Sequence, residues 1–248
     1  MSGRLQTGFS SPITASVSGI AANLNEVQNR IAAAAVRCRR EPSSIQLVCV
    51  SKMQPAAAIR EAFEAGARVF GENYAQEMRD KAAELSDLSI SWHFIGHLQK
   101  NKAKYVAPVA ACVETVDSPE IAEALSRRAP GIMRCMIEVN VAGELSKSGI
   151  SPDNAAKLAR SVAAMENAEL LGFMTIPPYD EDPERGRLFF RRLREVRDAA
   201  ARELGIEFPE LSMGMSHDLE VAIEEGATIV RVGTAIFGER DTTHPASG

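Results

Sequence analysis

Eight times after residue 44, a short apolar run is followed by a helical segment, and this repetition restricts the fold more than any other property of the chain. The apolar runs are 45–50, 68–70, 90–95, 112–116, 133–141, 170–176, 210–215 and 228–232. The helical segments between and after them are 55–65, 74–85, 100–105, 119–128, 152–165, 183–204, 218–225 and the turn at 235–237. Regular βα alternation implies a parallel sheet. Most runs are nearly continuous in apolar residues, as expected when helices cover a sheet whose other face is also buried. Eight such units in 248 residues match the size of a (β/α)8 barrel. A doubly wound open sheet is the alternative, but no Gly-x-Gly-x-x-Gly follows an early strand to support its dinucleotide-binding version. Ahead of the first strand, Val17, Ile20, Leu24, Val27, Ile31 and Val36 recur at helical spacing and predict an extra helix within 13–40. The expected fold is a single α/β domain over 13–240, a (β/α)8 TIM-type barrel with an extra N-terminal helix. A flexible N-terminus (1–12) and a C-terminal tail (241–248) are expected to flank it.

In a barrel of this kind the site lies at the carboxyl ends of the strands. The first run ends in Ser51 and Lys52. Lysine is seldom buried. A lysine here either lets its ammonium reach solvent or holds an amine at the barrel mouth, able to form a Schiff base with a carbonyl ligand. The other strand ends are polar as well. They carry Glu72 and Asn73, His93 and His97, Asn140, Thr175, then Ser212, Gly214 and Ser216, and finally Arg231, Gly233 and Thr234. The loops after strands seven and eight are the usual phosphate site of a barrel, where small residues let backbone N–H groups approach the anion. Ordinary turns use the same residue types.

An amine facing a phosphate site suits two ligand classes: a sugar-phosphate aldehyde or ketone, as in a Schiff-base aldolase, or pyridoxal 5'-phosphate. Arg231 favours the second. An arginine at the ring nitrogen keeps that nitrogen unprotonated and makes the cofactor a weaker electron sink than a carboxylate would. His93 and His97 have the spacing of a helical metal pair, yet they fall across a strand end and its turn, so pocket-lining or structural roles are expected and no metal. His217 either points into the mouth or caps the next helix in competition with Asp218. Lys100, Lys102 and Lys104 read as a solvated helix face, with a docking patch as the alternative. Glu72 either orients Asn73 or pairs with a lysine.

The net charge of -5 argues against nucleic acid or an anionic membrane as the main partner. The four cysteines lack a Cys-x-x-Cys pair and sit among apolar neighbours, as reduced thiols of a cytoplasmic protein do. No secretory leader and no apolar run of membrane-spanning length is seen.

Several motifs occur in one order along nearly the whole chain: Val50-Ser51-Lys52 with Pro55, Phe70-Gly71-Glu72-Asn73-Tyr74, and Trp92-His93-Phe94-Ile95-Gly96-His97-Leu98-Gln99. Ser146-Lys147-Ser148-Gly149, Leu211-Ser212-Met213-Gly214-Met215-Ser216 and Arg231-Val232-Gly233-Thr234-Ala235 follow. In these the chain resembles the pyridoxal phosphate homeostasis protein family (YggS/PROSC). The resemblance implies a barrel like the N-terminal domain of alanine racemase. It implies pyridoxal 5'-phosphate held covalently on Lys52 as an internal aldimine, with Ser212, Ser216, Gly233 and Thr234 around the phosphate. Arg231 would face the pyridine nitrogen and Asn73 would line the pocket. It further implies a cytoplasmic carrier without catalytic residues, whose partners are apo forms of pyridoxal phosphate enzymes. The alternative is a racemase-like enzyme acting on amino acids. Racemases of this fold add a β-rich domain that supplies a catalytic tyrosine. This chain ends soon after the eighth run, and its tyrosines are Tyr74, Tyr105 and Tyr179. A carrier, and a monomer, are therefore expected.

Overall fold

The computed structural model describes residues 19–144 and 147–238. The expected flexible ends, the first residues of the predicted N-terminal helix and Ser146 lie outside them. Among the described residues, eight parallel strands close into a barrel in sequence order. They are β1 (Gln46–Val50), β2 (Val69–Glu72), β3 (Ser91–Phe94), β4 (Cys112–Val116), β5 (Met133–Glu138), β6 (Ala168–Met174), β7 (Glu210–Ser212) and β8 (Ile229–Val232). The seam is sealed by β8 on β1, with Val48 opposite Arg231 and Cys49 opposite Val232. Helices α2 (Ala56–Glu64), α3 (Ala75–Glu84), α4 (Ala103–Val106), α5 (Pro119–Ser126), α6 (Pro152–Ala163), α7 (Arg187–Leu204), α8 (Leu219–Glu224) and α9 (Thr234–Phe237) alternate with the strands. The extra helix, α1 (Gly19–Arg37), packs against α8 and α9.

Packing explains the near-continuous apolar strands. Outward side chains such as Cys49, Phe70, Val113 and Phe173 join the helices in one large core. The helices supply one buried face each; in α7 it is Phe190, Leu193, Val196 and Ala200, at the three- and four-residue spacing of a helix. Inward side chains Val48, Cys112, Met136, Met174 and Ile229 form a separate small core inside the barrel. Cys49, Cys112 and Cys135 are buried thiols and Cys38 is half-buried, none of them in a disulfide.

Several elements end earlier than their apolar runs suggest. β7 stops at Ser212 rather than residue 215, because Gly214 turns the chain with φ +93. A Cβ at Gly214 would stand 2.5 Å from that of Ala222, so the turn requires glycine. β5 stops at Glu138, and Val139 forms only an isolated bridge to Ile150, where the following loop folds back. β6 is shifted two residues towards the N-terminus. The first turn of the predicted 183–204 helix is a 3-10 turn, Pro183–Gly186, in which the Asp182 side chain accepts the Glu184 N–H.

Candidate functional site

Lys52 leaves the end of β1 half-buried, on a turn whose next residue, Met53, has φ +61. That left-handed conformation is uncommon for a residue with a side chain. The turn is held from α3. The Lys81 ammonium donates to the Ser51 carbonyl at 2.7 Å and to Glu72 Oε1 at 2.8 Å, and it lies 2.7 Å from Glu77 Oε1. Ser51 Oγ donates to the same Glu72 oxygen at 2.6 Å, and the Met53 N–H donates to Glu77 Oε1 at 2.6 Å. Glu72 therefore pairs with a lysine. Burial pushes its carboxyl up to about 7, with the Lys81 charge pulling the other way. Sequence reading missed Lys81. Its signal is a lysine in register with Ala75 and Met78 on the buried face of α3, four residues after a glutamate.

Lys52, Asn73, Ser216, Arg231, Gly233 and Thr234 line one cavity of about 260 Å³ at the barrel mouth. Close backbone packing sets its walls. A Cβ at Gly96 would come within 2.1 Å of the Asn73 carbonyl oxygen, and one at Gly233 within 3.1 Å of the Val50 carbonyl oxygen. Asn73 Oδ1 is buried and has no hydrogen-bond partner among the described residues. On the opposite side Ser216 Oγ accepts the Ala235 N–H at 3.4 Å, in the first turn of α9. Arg30 of α1 steadies that loop. It donates to the Ser216 carbonyl at 2.9 Å while holding Glu220 through two bonds of 2.7 and 2.9 Å. Asp218 Oδ1 accepts the Met215 N–H at 2.6 Å, so its side chain shapes the loop and accepts no N–H from the first turn of α8. His217 faces the cavity, its ring 4.8 Å from that of Tyr179.

Ser212 is the one expected residue that does not line the cavity. It lies fully buried beneath, in a polar layer above the small internal core. Its hydroxyl donates to Glu114 Oε2 at 2.6 Å and accepts from Arg231 Nη1. Arg231 also donates to the Thr175 carbonyl at 2.9 Å, and His93 Nδ1 bonds Glu114 Oε1 at 2.6 Å. Burial alone would raise the Glu114 carboxyl. The His93 hydrogen bond and the His93 and Arg231 charges outweigh it and hold Glu114 below the usual carboxylate range. Burial lowers Arg231 against the pull of Glu114, and a guanidinium keeps its proton through such shifts. Sequence reading gave β4 no polar end and missed Glu114. The available signal was a glutamate in the middle of an otherwise uncharged, mostly apolar strand. His93 belongs to this network. His97 is exposed, 3.7 Å from Asp117, and among the described residues no cluster of three His, Cys, Asp or Glu is placed to hold a metal.

Lys102 reaches a neighbouring cavity of about 310 Å³ that shares Asn73, and Lys104 lies over the Tyr105 ring at 4.9 Å. Lys100 is exposed. The mouth as a whole offers an amine, a buried guanidinium, an orphan amide oxygen and a hydroxyl beside a helix start. Such a set can hold a small anionic ligand at two ends and present a carbonyl to the amine.

Residues 18–241 match the family model of the alanine racemase N-terminal domain. A pyridoxal phosphate homeostasis protein of Aquifex aeolicus is 46% identical over 220 residues, which cover 88% of this chain and 96% of that one. PipY of Synechococcus elongatus, solved with pyridoxal phosphate bound, has a TM-score of 0.78 at 34% identity, covering 88% of this chain and 100% of that one. Alanine racemase from Corynebacterium glutamicum shares the fold, with a TM-score of 0.69 at 19% identity over 94% of this chain and 64% of that one. Among the described residues no helix is long and apolar enough to cross a membrane.

Proposed function

The chain belongs to the pyridoxal phosphate homeostasis protein family, and from that premise we propose that it binds pyridoxal 5'-phosphate at the barrel mouth, tethers it covalently through Lys52, and holds it for release. The observation that carries the proposal is the meeting of Lys52 with Ser216, Arg231, Gly233 and Thr234 in one cavity. The residues fit the group. The Asn73 amide has a buried acceptor without a partner among the described residues, and at Gly233 a side chain would crowd the Val50 carbonyl where a ligand must come close to backbone. Ser216, Gly233 and Thr234 would hold the phosphate through a hydroxyl and N–H groups at the first turn of α9, which lack intrahelical partners. Arg231 would face the ring nitrogen as a donor fixed in charge, and Ser212 would hold Arg231 from below. When bound, the cofactor supplies an aldehyde for the Lys52 amine and an electron-accepting ring. With Arg231 rather than a carboxylate at the nitrogen, that ring is a weak electron sink, which suits storage better than turnover. The proposed recipients are apo forms of pyridoxal phosphate enzymes in the cytoplasm.

Reconstitution with pyridoxal 5'-phosphate tests the binding site. A visible absorbance band is expected in the wild type and its loss in Lys52→Ala; a colourless wild type overturns the proposal. One observation favours the second reading, amino-acid chemistry: the Tyr179 and His217 rings meet at the cavity rim, tilted by 51°, which puts a hydroxyl and an imidazole beside the mouth. Incubation of the loaded protein with single L-amino acids separates the two. The carrier reading predicts no sustained loss of optical activity and no release of carbon dioxide; turnover with any of them contradicts it.

A further inference from the structure

We propose that Lys81, with Glu72 and Glu77, is the positioning device that aims Lys52 into the mouth cavity. The inference rests on the reading of Lys52 as the cofactor's tether. None of the three residues lines that cavity. They lie behind it, and each bonds the backbone or side chain of a residue next to Lys52.

The geometry surrounds Lys52 on both sides in sequence. Before it, the Ser51 carbonyl accepts Lys81 Nζ at 2.7 Å, and the Ser51 hydroxyl is fixed on Glu72 at 2.6 Å. After it, the Met53 N–H is fixed on Glu77 at 2.6 Å. Lys81 joins both sides, lying 2.8 Å from Glu72 and 2.7 Å from Glu77. The peptide units flanking Lys52 are thus tied to one ammonium on α3. The left-handed Met53 is where such a tie is needed, because an unfavourable backbone conformation persists only when its surroundings impose it. The cluster also decides which lysine reacts. Lys81 is 8% exposed, and its ammonium donates to the Ser51 carbonyl and Glu72 and pairs with Glu77, so it is engaged on every side and poorly placed to meet an aldehyde. Glu72 Oε2 and Glu77 Oε2 are buried and without hydrogen-bond partners among the described residues, so the two carboxylates depend on Lys81 for most of their compensation.

The test is a double-mutant cycle read by binding of pyridoxal 5'-phosphate. Lys81→Met should weaken retention of the cofactor at least tenfold and lower borohydride-trapped label on Lys52 in parallel. Lys81→Arg should recover part of it. In the Lys52→Ala background, where only non-covalent binding remains, Lys81→Met should change affinity less than twofold. Equal weakening in both backgrounds would mean that Lys81 merely supports the pocket, and wild-type retention in Lys81→Met would mean that it does nothing; either result overturns the inference. Should Lys81→Met fail to fold, Glu77→Gln cuts the Met53 tie alone and should give the same pattern in milder form. An arm without cofactor separates this inference from the functional reading. Reductive methylation of the apo-protein with formaldehyde should change at Lys52 several-fold in Lys81→Met relative to wild type. If the wild type takes up no cofactor, the functional reading fails; if Lys52 methylation is unchanged, the positioning role fails.

Discussion

Replacing Glu114 by alanine removes the carboxylate that His93 and Ser212 bond and that lies beside Arg231. The Arg231 and Glu114 side chains are 3% and 0% exposed, with Arg231 Nη1 3.7 Å from Glu114 Oε2. His93 loses a partner at 2.6 Å and Ser212 an acceptor at 2.6 Å, and the buried guanidinium loses its strongest carboxylate, keeping the Ser212 hydroxyl, one carbonyl and the weaker pull of Glu138 and Asp218. Breaking a buried ion pair from one side costs about 3–5 kcal/mol. At about 2–4 °C per kcal/mol for a chain of this size, the melting temperature should fall by about 6–20 °C. Glu114→Gln should fall less, because the carboxamide keeps one acceptor. The sign of the pH dependence follows from the depressed carboxyl. The Glu114 contribution is fully present above its unfolded value and is lost as pH falls through its lower folded value. The gap between wild type and Glu114→Gln should stay flat from about pH 6 to 8 and close in acid. Thermal melts of wild type and Glu114→Gln from acid up to about pH 8 read this directly. A Glu114→Ala melt within about 2 °C of wild type would refute the account of the layer as a charge-balanced network.

Glu72 should behave in the opposite sense. Its carboxyl is raised to about 7, so the folded state takes up a proton the unfolded state lacks, and stability is lost as pH rises through 7. Against Glu72→Gln, the wild type should lose up to about 3 kcal/mol between pH 5 and pH 8.5 in denaturant titrations, at 1.36 kcal/mol per pKa unit; a gap independent of pH would contradict this. Gly214→Ala should destabilise the chain by about 1–3 kcal/mol, since φ +93 strains any side chain and the new Cβ meets Ala222 at 2.5 Å. A neutral substitution there, read by the same titrations, would mean that the turn after β7 relaxes freely.

The barrel was legible because both of its signals are strong: eight apolar runs and the helix periods between them. The run ends were less so. Residues 213–215 continue the apolar pattern of β7; Met213 and Gly214 still bond to β8, but the positive φ of Gly214 turns the chain away from the strand direction there. At the site, the residues that face the cavity were readable because polar side chains and glycines at strand ends are conspicuous. The residues that hold them were not. Glu114 sits mid-strand, Lys81 in the last turn of α3, and Arg30 on a helix distant in sequence from the Ser216 loop. Each acts through a partner 30 to 186 positions away, and such pairings follow from closure of the barrel rather than from local pattern. Ser212 shows the same limit from the other direction. Its place in sequence suggested the cavity wall, whereas the pleat of β7 turns it inward onto Glu114 and Arg231.

The central claim is that Lys52 is the tether. Borohydride reduction of the reconstituted protein, followed by proteolysis and peptide mass analysis, tests it most directly. One reduced pyridoxyl phosphate adduct is expected, on the peptide containing Lys52. Label on Lys81, Lys102 or another lysine in place of Lys52, or a reconstituted protein with no adduct, would contradict it.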